Sequence, residues 1–317
     1  MRFTIFGAGS LGTILASHLL RAGYKVQVIA RGKRALCIQQ NGLVVTGLVG
    51  LVEHCLVHND ISSDMDIDVL IFSVKTYQME EALKMTKMLR PRVVFALANG
   101  VRKNEQLEAT FPESKVLGCM ANFSGELLDT GDVLFTRNES FNLDGLSQEG
   151  IDIAKVIDDA GIVSIADEEI DSTEWSKFVG WVPLFALSLI TRSPIGGFLS
   201  VREFAILAFG AIREMSELAR VKGITLHDNT VLPVLTLSEI DREEGVDKLM
   251  KIGMEFLRSN PNHRMSALQD LENRRPLEVH ETLGHAVDMA RLCNLELKLL
   301  PLFYDLVSGL DGMAHSR

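Results

Sequence analysis

The sequence predicts a protein in two parts: an α/β domain built on a doubly wound parallel sheet, followed by an all-α domain. Three observations lead to this prediction. The chain opens on a short apolar strand, a glycine turn and an amphipathic helix. Continuous apolar strands then alternate with helical periods as far as about residue 169. Beyond that point every segment has helical periodicity. We therefore expect domains at residues 1–169 and 170–317.

The first thirty residues predict the strand, turn and helix that begin the α/β domain. An apolar strand at residues 3–6 leads into a glycine turn, a helix that ends at Gly23, and a second strand at residues 25–30. The turn consists of Gly7, Ala8, Gly9, Ser10, Leu11 and Gly12. In a Rossmann-type fold the first glycine permits the tight turn, the second lets the backbone approach a pyrophosphate, and the third allows close packing of the helix. A glycine-rich turn in another α/β fold is the alternative.

The residues after the second strand indicate which dinucleotide is bound. An NAD site usually carries an acidic residue there, which holds the ribose hydroxyls. This chain instead has Arg31, Lys33 and Arg34. Since an arginine can bond to a 2′-phosphate, the sequence favours NADP(H), with Arg31 as the ligand. The alternative is that these cations only begin a solvated helix.

The remaining elements of the first domain follow in order. A hairpin is expected at residues 43–46 and 51–57, buried strands at 68–73, 93–97 and 115–120, and helices at 32–41, 77–90 and 103–110. Residues 124–145 predict antiparallel edge strands, and a helix at 147–160 and a strand at 162–166 close the domain. Lys75 and Asn99 each follow the end of a buried strand, where ligands bind in such sheets. We expect both residues at the cofactor crevice, although each alone is also explained as an ordinary loop residue.

Composition limits the classes of function. The chain has 317 residues, 47% hydrophobic and 23% charged, with a net charge of −10. This acidity argues against a nucleic-acid surface. The four cysteines show no metal-ligand or disulfide spacing, so we expect reduced thiols, no metal site and a cytoplasmic protein. The N-terminus is itself a predicted core strand, so we expect no signal peptide, and the longest apolar stretch is too short to predict a membrane span.

The second domain is predicted from helical periods at residues 171–191, 201–222, 228–239, 246–258, 266–273, 276–293 and 299–308. Its first helix, opened by a capping box at residues 171–174, carries Lys177 as the only charge in an apolar stretch. Burial and a nearby helix N-terminus would both lower the pKa of such a lysine, which would make it a good proton donor. The alternative is a lysine that extends to solvent.

A second candidate stretch lies at residues 265–278. Ser266 and Gln269 predict a capping box, and Pro276 predicts the first residue of the next helix, with Glu278 at its third position. The local pattern alone favours two well-capped helices. The functional alternative puts Ser266 and Glu278 on adjacent helix starts, where free N–H groups would meet a carboxylate.

Taken together, these pieces resemble the ketopantoate reductase family over essentially the full chain. The resemblance lies in the glycine turn, Ser73-Val-Lys75-Thr, Ala98-Asn99-Gly100, Trp175-Ser-Lys177, and Ser266-x-x-Gln269-Asp270 with Pro276-Leu-Glu278. It implies NADPH-dependent reduction of a 2-oxo acid. It also implies that Lys177 is the general acid supported by Glu278, that Lys75 and Asn99 lie at the cofactor and substrate crevice, and that Ser266 binds polar groups of the substrate.

The chain departs from the family in two stretches. The family usually has asparagines four and eight residues after the lysine, where they hold the hydroxylated substrate; this chain has Trp181 and Phe185. Val279-His280 also follows Glu278, where a hydrophobic residue and Asp are commoner. We therefore expect a 2-oxo acid reductase whose substrate pocket, lined by Trp181 and Phe185, is altered toward apolar side chains. The alternative is that both aromatic side chains face the domain core and that the pocket lies elsewhere.

Several alternatives remain open at this stage. One is a genuine 2-dehydropantoate 2-reductase of pantothenate (coenzyme A) biosynthesis, and another is a catalytically inactive NADP-binding regulatory protein. An opine-type dehydrogenase is a weaker alternative. Retention of both Lys177 and Glu278 argues against loss of turnover. The expected partner is a small 2-oxo acid, with neither nucleic acid nor membrane, and the sequence leaves a homodimer open.

Overall fold

A computed structural model describes residues 1–261 and 264–315 of the chain. The described chain forms two compact units, Met1–Asp171 and Ser172–Arg317. The division falls just after the boundary expected from the sequence, within the first turn of a long helix.

The first unit contains the predicted alternation of strands and helices. In chain order its elements are β1 (Arg2–Phe6), α1 (Ser10–Arg21), β2 (Lys25–Ile29), α2 (Gly32–Asn41), β3 (Leu43–Gly47), β4 (Leu51–Glu53), β5 (Leu56–His58), β6 (Val69–Phe72), α3 (Thr76–Thr86), β7 (Val93–Ala96), α4 (Arg102–Thr110), β8 (Lys115–Val116), β9 (Cys119–Leu127), β10 (Val133–Asp144), α5 (Gln148–Asp159) and β11 (Ser164–Asp167).

The main sheet is parallel throughout and has the strand order β5-β2-β1-β6-β7-β8. The chain runs from β1 to β2 in one direction and returns to place β6 on the other side of β1. This reversal at β1 is the topological switch point beside which ligands bind in open α/β sheets. The predicted doubly wound parallel sheet is therefore confirmed, and α1 begins at the switch point.

A second sheet was not predicted. It has the order β11-β10-β3-β4, and β9 pairs with β10 in antiparallel fashion. Helix α1 is buried without a break from Gly12 to Leu19 because its side chains pack both on the parallel sheet and on Phe123, Phe135 and Phe141 of the second sheet. The predicted antiparallel pair at residues 124–145 exists, but it covers α1 instead of extending an edge of the main sheet.

Two strands predicted as continuous are divided between the sheets. Residues 51–57 split into β4, which completes the predicted hairpin with β3, and β5, which joins the main sheet beside β2. Residues 115–120 split into β8 of the main sheet and the start of β9 of the second. In the second case the apolar run from Val116 to Met120 continues across the change of sheet, so hydrophobicity alone does not show the break.

The second unit is helical throughout the described residues. Its elements, with the helix that enters it, are α6 (Ile170–Thr191), α7 (Ile195–Leu199), α8 (Arg202–Val221), α9 (Val234–Glu239), α10 (Arg242–Ser259), α11 (Ser266–Glu272), a π-helical turn (His280–Gly284), α12 (His285–Leu292) and α13 (Leu299–His315). The predicted all-α domain is confirmed. Among the described residues, none of the helices is long and apolar enough to cross a membrane.

Two predicted helices of this unit are shorter than expected. The segment predicted as a helix at 228–239 is helical only from Val234, since Pro233 immediately precedes it. The segment predicted as a helix at 276–293 begins only at the π-helical turn, and residues 275–278 have no regular structure. Pro276 is therefore not the first residue of a helix, and Glu278 is not at a third helical position.

Candidate active site

The glycine turn between β1 and α1 has the geometry that a dinucleotide requires. Gly7 has φ +98°, a backbone conformation that residues other than glycine rarely adopt. A Cβ on Gly12 would overlap the Gly7 carbonyl oxygen and lie 2.6 Å from the Ser73 hydroxyl oxygen. A Cβ on Gly9 would meet only the Ser73 carbonyl oxygen, at 3.8 Å. Gly7 and Gly12 are thus fixed by the fold, whereas Gly9 keeps an open outer face.

The sequence-predicted residues of the first unit meet at one edge of the sheet. Phe6, Phe72 and Ala96 stand in register on β1, β6 and β7, so the glycine turn and the segments that carry Lys75 and Asn99 all leave at the carboxyl edge. Ser73 and Val74 would be the nearest neighbours of a Cβ on Gly7. Lys75 precedes α3, and its backbone N–H donates to the Gln78 side chain at 3.2 Å. Both Lys75 and Asn99 are half-buried.

The cations after β2 have two different environments. Arg31 is exposed, and its Nη1 donates to Glu81 Oε1 of α3 at 2.9 Å. Arg34 is turned inward and donates three hydrogen bonds to oxygen atoms of the first unit. Arg31 is therefore at the surface, where a ligand would compete with Glu81 for its guanidinium, whereas the guanidinium of Arg34 is held by acceptors inside the first unit.

Lys177 lies on α6, and the turn before it is held by buried polar contacts. Ser176 is fully buried, and its hydroxyl accepts a hydrogen bond from the His227 backbone N–H at 2.8 Å. Thr173 is also buried, and its hydroxyl accepts from Asn229 Nδ2 at 3.1 Å. The helix begins at Ile170, so the predicted capping box at residues 171–174 lies inside the first turn and does not open the helix. Lys177 itself is half-buried.

Trp181 and Phe185 form one aromatic stack on the same helix. Their ring centroids are 4.8 Å apart with an interplanar angle of 30°. Phe185 has 0% of its surface exposed, whereas Trp181 is half-buried. Since a fully buried ring has no surface to offer a ligand, the structure does not support the expectation that Phe185 contacts substrate directly. Phe185 packs against Trp181, which is only half-buried.

Ser266 and Glu278 differ in exposure. Ser266 is the exposed first residue of α11, which is preceded by Met265 with no side-chain cap, and Gln269 donates to the Arg264 carbonyl at 3.3 Å. The predicted capping box is therefore wrong, because the serine lies one position inside the helix. Glu278 has 5% of its surface exposed, and its carbonyl accepts from the Thr282 hydroxyl in the π-helical turn. The carboxylate is thus held in a largely dry environment.

The contacts that stabilise this π-helical turn were not predicted from the sequence. His280 Nδ1 and the Tyr304 hydroxyl are 2.7 Å apart, and the two rings meet edge to face. A Cβ on Gly284 would lie 2.8 Å from the Tyr304 ring, so only glycine leaves room for it. Such turns are frequent at functional sites. The periodicity of residues 276–293 does not distinguish a π turn from an α turn, so the sequence contained no clear indication of it.

The first unit fits a dinucleotide. The open face of Gly9 leaves room for a pyrophosphate beside the N-terminus of α1, a twelve-residue helix with no acidic residue in its first turn. Within the described residues, no group of three or more histidine, cysteine, aspartate or glutamate side chains is arranged to hold a metal ion.

Comparisons with known proteins identify the family. The profile of the family Ketopantoate reductase PanE/ApbA matches residues 3–148, and that of its C-terminal domain matches residues 169–311. A relative named 2-dehydropantoate 2-reductase from Archaeoglobus fulgidus is 27% identical, with 98% of each chain covered.

Solved structures show the same fold. A ketopantoate reductase of Ralstonia eutropha JMP134 has a TM-score of 0.85 at 21% identity, covering 99% of both chains. A ternary structure of D-mandelate dehydrogenase with NADH and anilino(oxo)acetate has a TM-score of 0.83 at 17% identity, covering 100% of both chains. With family profiles matching both parts of the sequence, the chain belongs to the ketopantoate reductase family of NADP-dependent oxidoreductases that act on CH–OH groups.

Proposed function

We propose that the protein reduces a 2-oxo acid with an apolar, branched or aromatic side chain to the 2-hydroxy acid, using NADPH. The observation that supports this most directly is the stacked pair of Trp181 and Phe185. The pair stands where family members usually carry the two asparagines that hold a hydroxylated substrate. The family supplies the reaction class, and this departure from the family supplies the substrate class.

The proposed roles follow from the environments of the residues. The glycine turn would hold NADPH, which would supply the hydride for the carbonyl carbon of the substrate. Lys177 then donates a proton to the carbonyl oxygen, which would otherwise carry a full negative charge. Lys177 is half-buried and is the only charged residue from Trp175 to Ile190, and a positioned ammonium can supply this proton. Glu278, nearly fully buried, is proposed to support Lys177, and Ser266 to bind polar groups of the substrate.

Trp181 would discriminate between substrates through desolvation. A substrate hydroxyl placed against its ring would lose water without gaining a hydrogen bond, at about 1–3 kcal/mol. An apolar group in the same place would gain about 0.8 kcal/mol for each buried methylene. The two effects act in the same direction, so a preference of roughly ten- to several-hundred-fold for the apolar substrate is expected.

The fold is compatible with an aromatic substrate. The D-mandelate dehydrogenase structure of the same fold was solved with anilino(oxo)acetate, a 2-oxo acid derivative that carries an aromatic ring. The second candidate function is the reduction of ketopantoate itself, favoured by the full-length relatives that are named 2-dehydropantoate 2-reductase. It requires that another residue holds the substrate hydroxyl.

One comparison separates these two functions. We would measure kcat/KM for ketopantoate and for its analogue without the hydroxyl, 3,3-dimethyl-2-oxobutanoate, with NADPH saturating. We expect the analogue to be the better substrate by tenfold or more, and Trp181→Asn to shift the ratio back toward ketopantoate. Trp175→Phe is the matched control, because Trp175 is buried against Phe178 on the same helix and its replacement should leave the ratio unchanged. A wild-type preference for ketopantoate of tenfold or more would restore the pantothenate role.

A further inference from the structure

Arg34 of α2 joins three separate parts of the first unit. Its Nε donates to the Ala8 carbonyl at 2.7 Å, its Nη2 to the Thr13 hydroxyl at 2.8 Å, and its Nη1 to the Gly131 carbonyl at 2.5 Å. Ala8 belongs to the glycine turn, Thr13 to α1, and Gly131 to the loop between β9 and β10. All three nitrogen atoms of the guanidinium are therefore engaged, in a geometry that lysine cannot reproduce.

The bond to Ala8 bears directly on the cofactor-binding face of the turn. The Ala8 carbonyl also accepts from the Thr13 hydroxyl at 3.3 Å, so it has two donors. Because the peptide unit is planar, the Ala8 carbonyl and the Gly9 N–H have a fixed relative direction. Arg34 and Thr13, by holding the carbonyl, therefore also set the direction of the Gly9 N–H. Gly9 is the residue whose outer face is open to a pyrophosphate.

The guanidinium is also partly removed from solvent. Burial is the largest influence on the pKa of Arg34 and lowers it from its ordinary value. An arginine with a lowered pKa still carries its charge at neutral pH. A positive charge at such a site is less screened than one at the surface, so it would attract phosphates bound at the turn.

The third bond reaches the second sheet. Gly131 has φ +92°, and a Cβ at this position would overlap the Cys37 sulfur atom of α2. Only glycine can therefore bring its carbonyl to Arg34 in this loop. The loop between β9 and β10 is in this way connected through one side chain to the glycine turn, although the two are far apart in sequence.

We propose that Arg34 is a positioning residue for the dinucleotide: it orients the Ala8–Gly9 peptide and couples the β9–β10 loop to cofactor affinity. This inference rests on the proposed role of the turn in cofactor binding. The pyrophosphate is common to NADH and NADPH, so Arg34 supports both to the same degree. In this respect it differs from Arg31, whose proposed ligand is the 2′-phosphate of NADPH alone.

The test measures equilibrium affinity for NADPH and NADH by fluorescence titration of the full chain. We expect Arg34→Gln and Arg34→Lys to weaken both cofactors by about tenfold or more, with their ratio unchanged. Thr13→Val and Gly131→Ala should weaken both cofactors in the same way by a smaller factor. In steady state, KM for the cofactor should rise while kcat at saturating cofactor stays near the wild-type value.

The control is Arg21→Gln, which removes an exposed arginine at the opposite end of α1 and should leave both affinities unchanged. Thermal unfolding of each variant without cofactor separates loss of fold from loss of affinity. If the Arg34 variants do not fold, Thr13→Val decides: a folded variant with wild-type affinity overturns the proposal. Wild-type affinity in Arg34→Lys, with loss only in Arg34→Gln, also overturns it, since charge alone would then suffice.

Failure of the proposed function gives a different result. If the wild-type protein binds neither dinucleotide, the proposed function fails and the positioning role of Arg34 fails with it. If it prefers NADH, only the cofactor preference fails, and an equal weakening of both cofactors by Arg34→Gln still supports the positioning role.

Discussion

Replacement of Gly9 by alanine separates the binding role of the glycine turn from its structural role. Gly9 has φ −71° and ψ −163°, which alanine adopts without strain. The added methyl group would meet only the Ser73 carbonyl oxygen, at 3.8 Å, an ordinary contact distance. We therefore expect the free energy of unfolding to change by no more than about 0.5 kcal/mol.

The effect on cofactor binding should be much larger. The methyl group would occupy the open face on which the pyrophosphate approaches the backbone, so at least one hydrogen bond from a backbone N–H to a phosphate would be lost. A hydrogen bond to a charged group contributes about 1.5–3 kcal/mol. Since 1.4 kcal/mol is a factor of ten, Gly9→Ala should weaken NADPH by roughly 10- to 150-fold.

The assay pairs fluorescence titration of NADPH with thermal unfolding of the protein without cofactor. Gly12→Ala is the contrasting variant: its Cβ would overlap the Gly7 carbonyl oxygen, so it should lose about 1–3 kcal/mol of stability. Gly50→Ala is the control, because a Cβ there has no neighbour within 4 Å. If Gly9→Ala binds NADPH within twofold of the wild type, the turn does not hold the pyrophosphate and the reasoning is refuted.

The remaining predictions concern the proton donor and the 2′-phosphate. Lys177→Ala should lower turnover by about 10²–10⁴ while NADPH affinity is retained, and near-wild-type turnover would exclude it as the general acid. Arg31→Ala should weaken NADPH and leave NADH unchanged; equal affinity of the wild-type protein for both cofactors would contradict this assignment. Glu81→Gln should strengthen NADPH by at most about fivefold, because an exposed ion pair with Arg31 is worth no more than about 1 kcal/mol.

Local pattern was sufficient for much of the first unit. The strand, glycine turn and helix at the N-terminus follow from steric demands inside a few residues: Gly7 needs a positive φ, and Gly12 needs contact without a Cβ. The buried strands β6 and β7 were predictable because a strand covered on both faces is apolar at every position. Lys75 and Asn99 could be placed at the carboxyl edge because each follows one of these strands, and the carboxyl ends of parallel strands lie on the same side of the sheet.

Other features depended on partners far away in the sequence. A strand pattern predicts an extended segment but not its neighbour, so the second sheet and the division of residues 51–57 between β4 and β5 became evident only in the structure. The burial of Phe185 beneath Trp181 was likewise undetermined, because helical spacing shows that two rings share a face without showing how far each is covered.

The candidate site shows the same division. The sequence alone was sufficient to identify Lys177 and Glu278 as candidates. It also showed that no acidic residue follows β2. Arg34 could not be singled out, because its three acceptors lie 21 to 97 residues away and converge only when α2, α1 and the β9–β10 loop pack together. The sequence by itself thus determined which chemistry is present and where strands and helices form, since those depend on short-range sterics and periodicity. The tertiary structure decided which polar groups meet, since hydrogen-bond partners are chosen by packing.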